Sequence, residues 1–405
     1  MTALLRPMTG RDPNETHRAS TPLELLVDLC FVVAVSRCAA ALHHQLSEAH
    51  FAHGIATYLF IFWAIWWAWM NFTWFASSYD TDDAAYRALT FVQILGVLIL
   101  AAGVTDAFDG HQLTVATGFL VMRLGLSGQY LRASFGDSEN ARACRIIAIG
   151  LIVLQIGWIG RLALDGTASM AFSVLLVVAE LSLPIASGFL KHQRWHPGHI
   201  AERYSLLLLI VLGESILSAT NAIEDGIDTV GVTANLAMVV IGSAALVFCL
   251  WWRYFDFPAD DALRDDPSKA VAWGFGHYFA FAAIAALGAG IGLVVDSLGR
   301  ATELSKTQTV ASMAVPTVVF ILVTSFLHLT TETTIGSTIL RSLTISALIL
   351  GLVVVAPWVS VPVAVLGLGL LASSGVVASL VEQGRSPVAP PLPPPPPLPP
   401  QSDGR

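Results

Sequence analysis

Twelve times along its length this chain runs for about twenty residues with almost nothing that hydrocarbon would reject. At 1.5 Å per residue, such a run covers the ~30 Å core of a bilayer as a helix. A helix is also the one form in which a single segment satisfies its own backbone there. The runs are residues 22–45, 54–75, 84–106, 113–132, 143–164, 168–190, 200–222, 231–255, 270–297, 308–330, 338–356 and 359–381. Composition agrees: 55% of residues are hydrophobic and only 12% charged, half the charged share of an ordinary soluble domain. The expected fold is an all-α polytopic membrane protein of about twelve transmembrane helices. The first twenty residues hold no apolar core of a cleavable signal, so the first helix is expected to direct its own insertion.

The basic residues orient the helices. With the N-terminus in the cytoplasm, inner segments carry sixteen Lys and Arg and outer segments three, namely Arg161, Arg300 and Lys306. That is the positive-inside asymmetry of a plasma-membrane protein with both termini cytoplasmic. A weak internal repeat adds a second level. Trp66-Trp67, Trp69, Asn71 and Phe72 recur 185 residues on as Trp251-Trp252, Tyr254, Asp256 and Phe257, and Asp28 maps 186 residues on to Glu214. Six helices is an even number, so the halves would run in the same direction, a parallel 6+6 repeat of the kind found in transporters. The expected divisions are a cytoplasmic leader (1–21), two six-helix halves (22–190 and 191–381) and a tail (382–405). The tail's proline run excludes a helix and reads as solvated chain, or as a dock for a proline-recognising module.

Ionisable residues inside such runs each need a reason, because insertion at mid-bilayer costs at least ~2.5–3.5 kcal/mol. Glu24 and Asp28 lie one helical turn apart near the start of the first run, behind a Ser20-Thr21-Pro22 helix start. The helix N-terminus accounts well for Glu24; Asp28, deeper, is a candidate binding group. In the seventh run Arg203 and Glu214 are eleven residues apart and share a stripe with His199 and Ser218. Gly213 beside Glu214 leaves room for a ligand or another backbone. Arg123, midway along the fourth run, is a candidate counter-ion for Asp28 or Glu214. Glu180 sits four residues before Pro184, which frees its carbonyl to bind a cation. Each of these also has a plainer reading as a structural pair that locks helices. The Trp-rich segment 62–75 reads as packing, with Trp74 and Trp69 suited to an interfacial belt.

Other chemistry is missing. There is no phosphate-binding loop, HExxH, GxSxG or CxxC motif, and the four cysteines fall singly inside apolar runs. Neither a metal site nor another cofactor is expected, no catalytic residue is assigned, and enzyme activity is disfavoured. A net charge of −8 spread among loops gives no reason to expect nucleic acid.

Two segments resemble one family. TPLELLVDLCFVVAVSR (21–37) and HIAERYSLLLLIVLGESIL (199–217) are similar to the two signatures of the bacterial low temperature requirement A (LtrA) proteins, with Leu26-Val27 where aromatics are usual. The resemblance spans about residues 18–380. It marks Glu24, Asp28, His199, Glu202, Arg203, Gly213 and Glu214, and implies a membrane protein connected with growth in the cold rather than a defined activity. The reading that joins these residues is a transporter or channel-like protein for a small solute or ion. Glu24, Asp28, Arg123, Glu180, Gly213, Glu214 and Ser218 would form the binding path, and His199, Glu202 and Arg203 a cytoplasmic gate. The alternatives are an intramembrane enzyme on lipid or isoprenoid substrates, or a membrane sensor or scaffold. The expected partners are the bilayer and a small ion or solute.

Overall fold

A computed structural model describes residues 4–13, 15, 18–188, 195–256, 263, 269–299, 302–329 and 336–385. The proline-rich run lies outside them. Among the described residues there are twelve long helices and no strand. They are α1 (Pro22–Ser47), α2 (Phe51–Tyr79), α3 (Ala84–Phe108), α4 (Leu113–Gly136), α5 (Ala141–Arg161) and α6 (Gly166–Ala186). The second half holds α7 (Pro197–Val230), α8 (Ala234–Phe255), α9 (Ala270–Gly299), α10 (Lys306–Leu329), α11 (Gly336–Val355) and α12 (Val361–Arg385). The protein is a polytopic helical membrane protein. Eleven of the helices are long and apolar enough to cross a bilayer; α4 falls short because Arg123 and Gln129 interrupt it.

The helix starts follow from local chemistry. Thr21 caps α1 in a capping box: its hydroxyl accepts from the Glu24 N–H at 3.3 Å, and the Glu24 carboxylate accepts from the Thr21 N–H at 2.7 Å. Asp83 caps α3, Thr233 caps α8, and the His196 ring caps α7 ahead of Pro197.

Helix α2 is the axis of the bundle. Every residue from 61 to 80 is buried, and its indoles touch α1, α4, α5, α6, α7 and α9. The aromatic run therefore packs, as its depth requires. Trp69 and Trp74 depart from the belt expectation: both are buried, and their N–H groups donate to Asp28 and to the Tyr204 hydroxyl. A buried indole N–H needs an acceptor, and these positions supply one.

Contacts within the halves echo one another. α1 packs on α3, α3 on α4 and α4 on α5, as α7 packs on α9, α9 on α10 and α10 on α11. The halves differ in their second helix, since α2 is central whereas α8 lies mainly against α12.

Candidate functional site

The two signature segments fold against each other, because α1 and α7 run in parallel through the middle of the bundle. Glu24 Oε1 lies 3.1 Å from His199 Nε2. One turn further along, Arg203 donates to Asp28 Oδ1 at 2.6 Å, and Trp69 donates to the same oxygen at 2.7 Å. Two turns beyond, the Ser36 hydroxyl donates to Glu214 at 2.6 Å, with Ser218 at 3.5 Å. Glu202, at the edge, accepts from the Ser20 N–H at 3.3 Å. These contacts form a polar ladder about 18 Å long, taking 1.5 Å per residue from Glu24 to Ser36.

Burial changes along the ladder. Glu24, Asp28, His199 and Arg203 are each 0% exposed, whereas Ser36, Glu214 and Ser218 are only half-buried. Past them, His43 Nε2 of α1 reaches Asp296 of α9 at 3.0 Å, with both side chains about 30% exposed. The ladder is fully buried at the leader end and half-buried toward the far end of the bundle.

The seal is made by the leader, which sequence reasoning treats as a plain cytoplasmic extension. Arg18 is buried; it donates to the Ala76 carbonyl at 3.1 Å and lies 3.7 Å from Glu24 and 3.8 Å from Asp80. The Arg11 N–H donates to Ser78, the Arg6 N–H donates to Asp83, and Arg132 donates to Asp83 and to the Arg6 carbonyl. His196 Nε2 meets the Glu15 carbonyl at 2.8 Å. Burial, then the nearby Glu24 charge, push the Asp80 carboxyl above its ordinary value, against the pull of Arg18. Hydrogen bonding to Arg11 holds Glu15 below its ordinary value.

Two of the sequence-predicted residues belong to a different centre. Arg123 does not meet Asp28 or Glu214. It pairs with Glu180 at 3.3 Å and stacks 4.5 Å from the Phe119 ring centroid. Glu180 also accepts from Trp67 at 2.9 Å, Trp158 at 3.3 Å and Gln155 at 3.4 Å. Both charges are 1% exposed, so this is a buried pair uniting α2, α4, α5 and α6 rather than a cation site at a freed carbonyl. Gly213 takes no part in helix packing: a Cβ built there meets nothing within 4 Å, so the space beside Glu214 is open.

Sequence reasoning missed Arg18, Asp80, Trp69 and Ser36. For Arg18 the signal is its position just ahead of the first signature. For Trp69, which the sequence assigns to an interfacial belt, there is no signal that its N–H would face Asp28. Ser36 gives none, since a serine in an apolar helix is ordinary.

Residues 19–380 match a family model described as bacterial low temperature requirement A protein (LtrA). An uncharacterized Rhizobium meliloti (strain 1021) protein, RA0937, is 28% identical over 283 residues, covering 66% of this chain and 67% of its own length. No solved structure matches.

Proposed function

Because the chain belongs to the bacterial low temperature requirement A family, we propose that it is a cell-membrane transporter or channel-like protein that moves a small solute or ion along the α1–α7 seam. The observation that carries this reading is the ladder itself. Charged and hydroxyl groups of two parallel helices meet at successive depths, half-exposed at one end and shut at the other by a folded leader. Polar groups in apolar helices cost insertion energy, and a merely structural lock needs one pair, not a row of them. The open space at Gly213 leaves Glu214 approachable, while Glu24, His199, Arg203 and Arg18 serve as the closed inner gate.

An enzymatic role for the same residues fits poorly. His199 and Glu214 lie fifteen residues apart on one helix, about 22 Å of rise, so they cannot share a substrate atom. The test is flux of candidate ions and solutes into proteoliposomes, comparing wild type with Glu214→Gln and Asp28→Asn. Flux abolished in both variants, each still folded and monodisperse, supports the seam as the pathway. Flux unchanged by either substitution sinks it. Removing residues 386–405 should leave flux intact, whereas a scaffold that docks partners on its proline run would lose its partners.

A further inference from the structure

Among the described residues, the sealed end of the ladder carries more buried acid than base. Glu24, Asp28 and Asp80 bring three carboxylates and Arg18 and Arg203 two guanidinium groups, every one at most 8% exposed. Contacts join Arg18 to Glu24 and Asp80, and Arg203 to Asp28, while the neighbouring Arg11–Glu15 pair adds one charge of each sign. Three against two leaves one negative charge where each unbalanced ion costs several kcal/mol. One further positive charge neutralises the cluster. Resting on the transport reading above, we propose that this charge is a proton shared by Glu24 and His199, and that the ion coupled to transport is therefore a proton rather than a metal cation.

The geometry suits a proton. With 3.1 Å between Glu24 Oε1 and His199 Nε2, the O–H bond of a protonated Glu24 breaks as an N–H bond forms on the imidazole, giving carboxylate and imidazolium. The reverse step returns the proton. Glu24 is faced from the leader by Thr21 and Arg18, with Asp80 behind Arg18, and from α7 by His199 and Arg203. Asp28 is faced by Trp69 from α2 and by Arg203 from α7. Apart from their own close contact, Glu24 Oε1 and His199 Nε2 have no hydrogen-bond partner, and Asp28 Oδ2, Arg18 Nε, Arg203 Nε and Nη1 and His199 Nδ1 are likewise buried without one.

The same geometry disfavours a metal cation, which wants a cage of some six oxygens. Asp28 Oδ1 is taken by Arg203 and Trp69, and Glu24 Oε2 by Thr21. The two oxygens left over sit among two guanidinium groups and an imidazole. Among the described residues no group of three or more His, Cys, Asp and Glu could hold a metal.

The experiment uses full-length protein in liposomes loaded with a pH-sensitive dye, under an imposed inside-negative potassium diffusion potential. It is run with external sodium or choline, with radiolabelled sodium and rubidium uptake in parallel. The expected result is acidification indifferent to sodium, reduced at least tenfold in Glu24→Gln and in His199→Gln. Glu24→Gln is a fair variant because glutamine at this position still completes the capping box. Should His199→Gln not fold, Glu24→Gln and the wild-type ion comparison decide. Sodium or rubidium uptake without acidification overturns the proton assignment and leaves the transport reading standing. Acidification that persists in Glu24→Gln overturns the assignment to this cluster. A protein that passes none of these ions overturns the proton assignment, and the solute-flux assay above then decides the transport reading by itself.

Discussion

At the scale of single residues, the buried Asp28–Arg203 pair makes the sharpest statement. Its partners are 2.6 Å apart and fully enclosed, so removing one leaves the other charged without compensation. Loss of one member of such a pair costs about 3–5 kcal/mol, whereas replacing both by uncharged groups of similar volume can be nearly neutral. Arg203→Met should therefore lower the melting temperature in detergent more than the double variant Asp28→Asn/Arg203→Met does. A double variant as unstable as the sum of its parts would mean that the pair contributes no coupling, and that Trp69 alone holds Asp28. Arg123 illustrates why a single sequence misassigns such partners. Hydropathy reports how deep a charge lies but not which way it points. Depth alone does not narrow the choice, since Glu180 lies as far from the end of α6 at Ala186 as Asp28 does from the start of α1 at Pro22.

At the scale of elements, close crossings depend on glycine at identifiable places. A Cβ at Gly96 of α3 would stand 2.6 Å from the Met122 backbone nitrogen and 2.7 Å from the Gly118 carbonyl of α4. Membrane helices approach this closely only where a residue has no side chain. Gly96→Leu should force α3 and α4 apart and cost at least the ~1–3 kcal/mol of ordinary overpacking. Gly213→Ala should be neutral or stabilising by roughly 0.5–1 kcal/mol, since alanine favours the helix and the site is open. Thermal unfolding of the two variants separates the cases, and comparable losses in both would contradict the packing described. The leader makes a pH prediction. Burial pushes the Asp83 carboxyl up, but hydrogen bonds from Arg132 and from the Tyr86 and Arg6 N–H groups outweigh it and hold the carboxyl below its ordinary value. A folded-state value below the ordinary one, about 4, means that the leader's attachment is at full strength above that pH. It weakens as pH falls through the lower folded value. The protection of the amides of residues 6–12, measured against their intrinsic exchange rate at each pH, should fall on acidification, and Arg132→Gln should produce the same loosening at neutral pH. Unchanged exchange in Arg132→Gln would show that other contacts hold the leader. Helix number, approximate boundaries and the identity of the α1 and α7 carboxylates are legible in the sequence, because period, length and the cost of buried charge act locally. The leader's fold-back is not, because it depends on backbone hydrogen bonds such as Arg11 to Ser78, to which any residue type could contribute.

At the scale of the whole molecule, the open matter is which side of the membrane each end occupies, and it turns on α4. Mean hydropathy penalises this helix for Arg123 and Gln129, yet the bilayer meets neither. Arg123 faces Glu180, Gln129 donates to Thr90 and accepts from Gln93, and Ser127 donates to the Ala148 carbonyl. What α4 exposes is Leu113, Leu124, Leu131 and Phe135, an apolar surface throughout. A helix of 24 residues rises about 36 Å, enough to span. The prediction on these grounds is that α4 crosses, that the crossings number twelve, and that both ends lie on one side, which the sixteen-to-three distribution of basic residues makes the cytoplasm. A fluorescent reporter that matures only in the cytoplasm should then be bright on either terminus, and a periplasm-dependent phosphatase silent on both. Opposite behaviour at the two ends would mean eleven crossings with α4 outside the bilayer, where its buried arginine could not reach Glu180 of α6, and the Arg123–Glu180 pairing would fall with it.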